Sequence, residues 1–243
     1  MVLNDVVHGL YDVRLQQFLD EVTLYPVSCE RLAGGRSDRE WLDDVLAGGA
    51  RIVQLRDKES PDSVFLAKAR YFREKTREAG ALFLVNDRVD IALLAGADGV
   101  HVGQNDLPPE EIRRLAPDFL IGLSCNTLEQ VMILGDKVRK GLCGVSYFNV
   151  GPLYATATKQ GLKDYLGAQA IHQFTRECSL PFTVMGGIKA EHIEELCAAG
   201  VKRMAVVTAL SQAPDIAMET TAWITKMKEC SGKRRKDNAT LQK

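Results

Sequence analysis

The sequence predicts a single (β/α)₈ TIM barrel preceded by a short N-terminal helical extension. Three observations support this prediction. The chain has 243 residues, close to the roughly 250 residues typical of this fold. Short apolar runs rich in β-branched residues alternate with longer segments of helical period. Parallel strands need crossover connections, so eight such units close most economically into a barrel.

Eight segments have the composition and length of buried strands. In chain order they are Val22–Val27, Arg51–Leu55, Leu82–Val85, Gly99–Val102, Phe119–Gly122, Gly144–Phe148, Phe182–Met185 and Arg203–Val207. Helical segments such as Asp62–Ala79 lie between them. Pro61 and Pro109 suit early helical positions, and Gly80 and Gly200 suit helix exits.

The chain divides into three parts on this interpretation. Residues 1–20 form the N-terminal extension, residues 21–230 form the catalytic barrel, and residues 231–243 form a flexible basic tail. A doubly wound open sheet is the main alternative fold. No G-x-G-x-x-G follows the first strand, which disfavours a dinucleotide-binding version of that sheet.

Composition excludes several classes of protein. The 32 acidic and 31 basic residues nearly cancel, which gives no reason to expect nucleic acid or a membrane as partner. The sequence contains neither a signal peptide nor a run of about 18 apolar residues. Six scattered cysteines without a C-x-x-C pair are typical of free thiols in a reducing compartment. We therefore expect a cytoplasmic protein that acts on small molecules, and the sequence is compatible with a homo-oligomer.

Polar residues and glycines collect at the carboxyl ends of the predicted strands, where the active sites of such barrels lie. From the second strand to the eighth they are Gln54, Arg56, Lys58, Asn86, Asp87, Asp106, Ser124, Thr156, Thr158, Lys159, Gly186, Gly187, Val207 and Thr208. The sequence therefore predicts one polar site on this face of the barrel.

Asp87 and Asp106 follow neighbouring strands, so their carboxylates are expected to converge on one Mg²⁺ ion. Taken singly, Asp87 is better explained by an ion pair with Arg88 or by capping of the helix that follows it, and Asp106 by capping of the helix that follows it. Positive charge on the same face, from Arg56, Lys58 and Lys159, favours the metal interpretation. Two carboxylates and three cations suit a metal-bound diphosphate.

Gly186 and Gly187 follow the seventh strand, next to the loop after the eighth. These two loops are the recurrent phosphate site of the fold, and glycine lets the backbone approach an anion closely. The alternative is that the pair only makes a tight turn. His101 lies within a strand and is predicted to be a packed barrel residue rather than a base, and no catalytic Ser/His/Asp or Cys/His set can be assembled.

Several segments carry a resemblance to a known family. They are Val53–Lys58, Val85–Ala92, Gly96–Gln104, Asp106–Pro108, Ser124, Val150–Pro152, Thr156–Lys159 and Gly186–Ile188. In this order and spacing, across Val22–Ser211, the chain resembles the thiamine-phosphate synthase family. The resemblance implies an alkyl transferase that couples hydroxymethylpyrimidine diphosphate with a thiazole phosphate, in its carboxylated or hydroxyethyl form. The products are thiamine phosphate and diphosphate.

The resemblance also implies residue roles. Mg²⁺ would be bound by Asp87 and Asp106. The aminopyrimidine and its diphosphate would be held by Gln54, Arg56, Lys58, Asn86, Ser124 and Lys159, of which Arg56, Lys58, Ser124 and Lys159 are expected to be catalytic. The thiazole phosphate would be held by Thr156, Thr158, Gly186, Gly187, Val207 and Thr208.

The implied reaction is dissociative: diphosphate leaves first, and the thiazole nitrogen captures the resulting cation. Water must be kept from that cation, so we expect a mobile lid at Tyr154–Gly161. Three alternatives remain, of which the weakest is another phosphate-handling barrel enzyme, such as an indole-glycerol-phosphate-type lyase, because it would not explain two carboxylates facing three cations. A related thiazole tautomerase would carry a histidine two residues after the serine, where this chain has Asn126. A non-catalytic phosphate-binding barrel would bind the ligands without turnover.

Overall fold

The computed structural model describes residues 9–156 and 165–241. Its strands are β1 (Leu24–Pro26), β2 (Ile52–Leu55), β3 (Leu82–Asn86), β4 (Gly99–Val102), β5 (Leu120–Cys125), β6 (Tyr147–Val150), β7 (Phe182–Met185) and β8 (Met204–Val206). Neighbouring strands pair in parallel in the order β1-β8-β7-β6-β5-β4-β3-β2. Val27 bridges to Gln54, and the Ser28 N–H donates to the Gln54 carbonyl at 2.9 Å. These contacts close the sheet, so the predicted barrel is confirmed and the open doubly wound sheet is wrong.

Helices cover the outside of the barrel. They are α1 (Leu10–Glu21), α2 (Asp38–Ala47), α3 (Asp62–Glu78), α4 (Val89–Ala95), α5 (Pro109–Leu115), α6 (Leu128–Arg139), α7 (Ala170–Glu177), α8 (Ile193–Ala198), α9 (Thr208–Ser211) and α10 (Ile216–Leu241). Residues 231–241, predicted as part of a flexible basic tail, continue α10, and their flexibility stays a prediction. In the described part of the chain, no helix combines the length and apolarity needed to cross a membrane.

The sixth strand lies later in the chain than predicted. Gly144 was expected to begin it, but Gly144 instead packs against the start of α5, where an added Cβ would lie 2.5 Å from the Pro109 carbonyl oxygen. The Arg113 Nε–H also donates to the Gly144 carbonyl at 3.3 Å. Because this segment is fixed against α5, the strand ladder starts at Tyr147 and ends at Val150, immediately before the pocket loop.

Inward-facing residues change character along β2 and β3. Near the amino ends they are apolar and pack together in the barrel interior, as Ile52 and Leu84 do. Two residues further along, the inward positions are Gln54 and Asn86, which line the pocket. Side chains on one face of a strand recur every second residue, so this change places polar groups at the carboxyl end of the barrel.

Within the described residues, the predicted N-terminal extension forms helix α1, which closes the opposite end of the barrel. Phe18 on α1 is fully buried, and its ring stacks on Tyr147 with 4.6 Å between centroids. The guanidinium of Arg203 donates to the Phe18 and Leu19 carbonyls at 2.9 and 2.6 Å, satisfying groups left unpaired at the helix end. Arg14 pairs with Asp98 at 3.1 Å. Helix α1 is therefore part of the barrel core.

Phe18→Ala should lower the free energy of unfolding by about 3–5 kcal/mol, because it leaves a cavity beneath Tyr147. Urea denaturation measures this change. Val13→Ala is the matched control on the same helix, since Val13 is 52% exposed; its effect should stay within about 0.5 kcal/mol. Equal effects of the two substitutions would show that α1 is not part of the core.

Candidate active site

A pocket opens at the carboxyl ends of the strands, as predicted for this fold. Nine of the predicted site residues line it: Gln54, Arg56, Asn86, Ser124, Thr156, Gly186, Gly187, Val207 and Thr208. Lys58 and Asp87 lie beside it, because they follow Arg56 and Asn86 in the chain and pair with each other. Thr158 and Lys159 lie outside the described residues, as does most of the predicted lid Tyr154–Gly161. The structure thus brings most of the predicted set together on one face.

The two predicted metal ligands lie near each other. Burial raises the pKa of the Asp87 carboxyl; the Lys58 ammonium opposes this rise, and the neighbouring Asp106 carboxylate adds to it. The Gly103 N–H donates to Asp106 Oδ2 at 2.7 Å and fixes that side chain. Asp87 has a left-handed backbone, with φ of 60°, directly after β3. Two adjacent carboxylates that repel each other form a donor set that fits a hard divalent cation.

An ion pair with Arg88 and helix capping, the two simpler explanations of Asp87 and Asp106, are wrong. Arg88 pairs with Asp62 and Asp90 at 2.6 Å each, and Asp87 pairs with Lys58 instead. Helices α4 and α5 begin without a side-chain cap. Neither Asp87 nor Asp106 is therefore explained by an Arg88 ion pair or by helix capping.

A charged cluster behind the site fixes the loop that carries Arg56 and Lys58. The Lys68 ammonium lies among three carboxylates, 3.0 Å from Asp38 and 2.9 Å from Asp57, and it also contacts Glu30. These three acids have the spacing of metal ligands, but Lys68 supplies the cation among them. Asp57 Oδ1 also accepts the N–H groups of residues 59 and 60 at 3.0 and 2.9 Å, which holds the turn after Arg56.

The charges in this cluster shift one another's proton affinities. Burial raises the pKa of Asp38 to about 6, although Lys68 opposes the rise. Burial disfavours the Lys68 ammonium, but hydrogen bonds to its three acids outweigh that effect and raise its pKa. Burial acts against ionised Asp57 too, yet hydrogen bonds from Ser60, Glu59 and Lys68 hold its pKa well below the usual range. The positive charge of Lys68 therefore offsets the repulsion among the three carboxylates and allows them to lie close together.

The opposite side of the pocket is lined by backbone. Gly187 has φ of 63°, and an added Cβ would lie 2.2 Å from the Ala155 carbonyl oxygen. The Tyr154 N–H donates to the Gly186 carbonyl at 2.9 Å, which joins the loop after β6 to the loop after β7. Thr208 begins the short helix α9 directly after β8. This arrangement matches the recurrent phosphate site of the fold.

Asn126, Asn149 and Met185 are among the pocket-lining residues that the sequence did not predict as site residues, and His101 was assigned only to packing. His101 is buried and hydrogen-bonds to Tyr147 and Ser124, at 3.0 and 2.9 Å, so its predicted place in the barrel is confirmed. The Asn126 side chain donates to the Gly151 carbonyl. The available signal was strand alternation, since Asn149 is two residues after inward-facing Tyr147.

Comparisons with known proteins point to one family. A family model described as thiamine monophosphate synthase matches residues 24–210. The chain is 38% identical over 203 residues to a thiamine-phosphate synthase of Pelotomaculum thermopropionicum, covering 83% of this chain and 90% of that protein. It is 40% identical over 194 residues to a thiamine-phosphate synthase of Methanoculleus marisnigri, covering 79% and 89%. A solved thiamine phosphate pyrophosphorylase from Pyrococcus furiosus is similar with a TM-score of 0.76 at 30% identity, covering 86% and 96%.

Lys68→Met should destabilise the fold by about 3 kcal/mol at pH 8, because it leaves three ionised acids together. Without Lys68 the folded-state pKa values of these acids rise above their unfolded values. The folded variant then takes up protons as the pH falls, so its deficit should shrink by pH 5. Urea denaturation at both pH values measures the difference.

The control is Lys75→Met on the same helix, where Lys75 pairs with exposed Glu78. It should leave the free energy of unfolding nearly unchanged at either pH, because an exposed pair contributes little to stability. A Lys68→Met deficit that is equal at pH 5 and pH 8 would contradict the electrostatic account of the cluster.

Proposed function

The chain belongs to the thiamine monophosphate synthase family, and we propose that its pocket couples hydroxymethylpyrimidine diphosphate with a thiazole phosphate. The products are thiamine phosphate and diphosphate. One observation carries the proposal: a single pocket has Arg56 in its lining, the Lys58–Asp87 ion pair beside it, and a glycine-lined backbone after β7. Such a pocket suits two phosphorylated substrates that bind side by side.

The diphosphate half of the site is assigned to the first strands. Arg56 and Lys58 supply positive charge to the diphosphate, together with Lys159. Gln54, Asn86 and Ser124 offer hydrogen bonds to the pyrimidine and its leaving group. The turn made by Asp57 and the cluster around Lys68 hold Arg56 and Lys58 in place, so the cations do not need to reorganise during reaction.

Asp87 and Asp106 are the proposed ligands of Mg²⁺. Their neighbouring carboxylates and the positions beside Arg56 and Lys58 support this assignment. When bound, the ion would neutralise charge on the diphosphate as it departs. Lys58 offsets the repulsion between the two acids, and substrate binding would draw its ammonium towards the diphosphate.

The thiazole phosphate is assigned to the other half. Gly186 and Gly187 leave their backbone open to an anion, and the amides of Val207 and Thr208 adjoin them. Thr156 lines the same pocket, and Thr158 is assigned here by resemblance. Fixing this substrate next to the pyrimidine turns the capture step into a local one.

The proposed reaction needs no protein nucleophile. The bond from the pyrimidine methylene to the diphosphate oxygen breaks heterolytically, and its electron pair leaves with the diphosphate. The lone pair of the thiazole nitrogen then forms the new bond to the methylene carbon. Consistent with this, burial raises the pKa of the Cys125 thiol at the end of β5 to about 12, so it stays a poor nucleophile.

The rival tautomerase function needs a proton-transferring side chain two residues after Ser124. That residue is Asn126, whose amide donates to the Gly151 carbonyl and does not titrate.

We also propose that the protein is cytoplasmic, because its six cysteines are free thiols, as is usual in a reducing compartment. The lid at Tyr154–Gly161 remains part of the proposal as well.

The test is formation of thiamine phosphate and diphosphate from both substrates, with and without Mg²⁺. We expect equal amounts of the two products, loss of activity on chelation, and a fall of about 100-fold in Asp87→Asn. Asp90→Asn is the control, because Asp90 forms a surface pair with Arg88; it should retain full activity. Folded wild-type protein that binds both substrates but releases no diphosphate would leave only the non-catalytic barrel.

Gly187→Ala should raise the KM for the thiazole phosphate at least about ten-fold, while the KM for the pyrimidine diphosphate changes little. The reason is the collision of the new methyl group with the Ala155 carbonyl oxygen. Gly96→Ala is the matched control, with φ of 65° and no atom within 4 Å of the added Cβ. If both KM values rose equally in Gly187→Ala, the assignment of the two halves would be wrong.

A further inference from the structure

A chain of hydrogen bonds crosses the barrel interior below the pocket. Gln54 Nε2 donates to the Tyr25 hydroxyl at 2.9 Å, and the two tyrosine hydroxyls of Tyr25 and Tyr147 are 3.0 Å apart. The Tyr147 hydroxyl is 3.0 Å from His101 Nδ1, and His101 Nε2 is 2.9 Å from Ser124 Oγ. The chain therefore links two predicted substrate-binding residues, Gln54 and Ser124, through three side chains that have no assigned role.

The middle of this chain is shielded from water. Tyr25 and Tyr147 are 1% and 0% exposed, and His101 is 6% exposed. Burial raises the pKa of Tyr25 to about 12 and that of Tyr147 well above its ordinary value. Both phenols therefore keep their hydrogen, and each has one hydrogen bond to donate.

The direction of the chain follows from its first member. The Gln54 amide nitrogen only donates, so the Tyr25 oxygen accepts there and sends its own hydrogen to Tyr147. Tyr147 in turn donates to Nδ1 of His101. An imidazole that accepts at Nδ1 carries its hydrogen on Nε2, which donates to Ser124 Oγ.

The opposite direction leaves a buried hydrogen unpaired. If His101 donated from Nδ1 to Tyr147, Tyr147 would donate to Tyr25. The Tyr25 hydroxyl would then accept from two donors, and among the described residues its hydrogen-bond partners are Gln54 and Tyr147, so its own hydrogen would have no acceptor. An unsatisfied polar hydrogen in a dry interior is costly.

We propose that Tyr25, Tyr147 and His101 are positioning residues that hold His101 as its Nε2–H tautomer and turn the Ser124 hydroxyl hydrogen into the pocket. There the hydroxyl donates to an anionic oxygen of the departing diphosphate. The tautomer follows from the hydrogen bonds alone, whereas the identity of the acceptor rests on the proposed function. A donor of fixed direction favours the charge that grows on the leaving group.

Three further features stabilise this geometry. Gly122 provides the space, because a Cβ there would lie 2.3 Å from the Tyr147 ring and 2.4 Å from His101 Nδ1. From below, Phe18 stacks on Tyr147. At the pocket, Gln104 donates to the Ser124 carbonyl at 2.7 Å and fixes that backbone.

The first test is ¹⁵N NMR of protein labelled at the histidine ring nitrogens, at one fixed pH and without substrate. Loss of signals in His101→Asn assigns the residue. We expect a pyridine-type Nδ1 and a pyrrole-type Nε2 in the wild type. Ser124→Ala should keep this tautomer, because the hydrogen bond from Tyr147 to Nδ1 determines it. Tyr147→Phe removes that hydrogen bond and should produce a mixture of the two tautomers. A pyrrole-type Nδ1 in the wild type, or an unchanged tautomer in Tyr147→Phe, would overturn the proposal.

The second test is the kinetics of the folded variants. Tyr147→Phe should lower kcat about ten-fold with little change in KM, the size of one lost hydrogen bond. Tyr25→Phe should act in the same direction. Tyr71→Phe is the matched control, since its hydroxyl bonds to Asp43 on the surface. Wild-type kcat in Tyr147→Phe would overturn the positioning role. Absence of product from the wild type would defeat the proposed function and the assigned acceptor, while NMR would still decide the tautomer.

Discussion

In a closed parallel barrel, a polar side chain that points inward needs a hydrogen-bond partner among the other inward side chains, the backbone, bound water or a ligand at the mouth. In this protein Gln54, Tyr25, Tyr147, His101 and Ser124 satisfy one another from strand to strand. Helix α1 closes the barrel beneath them with Phe18. The rest of the site is built on this rigid, dry base, which gives the pocket side chains defined directions.

Above that base, the proposed site separates two kinds of anion recognition. Around β2 to β4 it uses charged side chains, and their mutual repulsion is balanced by Lys58 near Asp87 and by Lys68 behind the loop. After β7 it uses backbone groups made accessible by Gly186 and Gly187. A dissociative reaction suits such a site, because catalysis then depends on leaving-group charge and on the position of the second substrate rather than on a nucleophile.

The sequence predicted the barrel and most residues of the pocket, because apolar runs locate the strand ends and a barrel brings those ends together on one face. Asp87 and Ser124 are two residues that were placed on this face in this way. It failed at the start of β6, where packing of Gly144 on α5 overrides strand propensity. It could not find the interior chain either, since His101 and Tyr147 are 46 residues apart and meet only through the closed barrel. The role of Phe18 depends on the same closure.

A crystal structure with thiamine phosphate, diphosphate and Mg²⁺ tests the central claim most directly, namely that the two phosphorylated groups occupy opposite halves of one pocket. The account predicts diphosphate against Arg56 and Lys58 with the metal on Asp87 and Asp106. It places the product's phosphate on the backbone of Gly187 and Thr208. Diphosphate bound at the loops after β7 and β8, or a metal held away from Asp87 and Asp106, would contradict it.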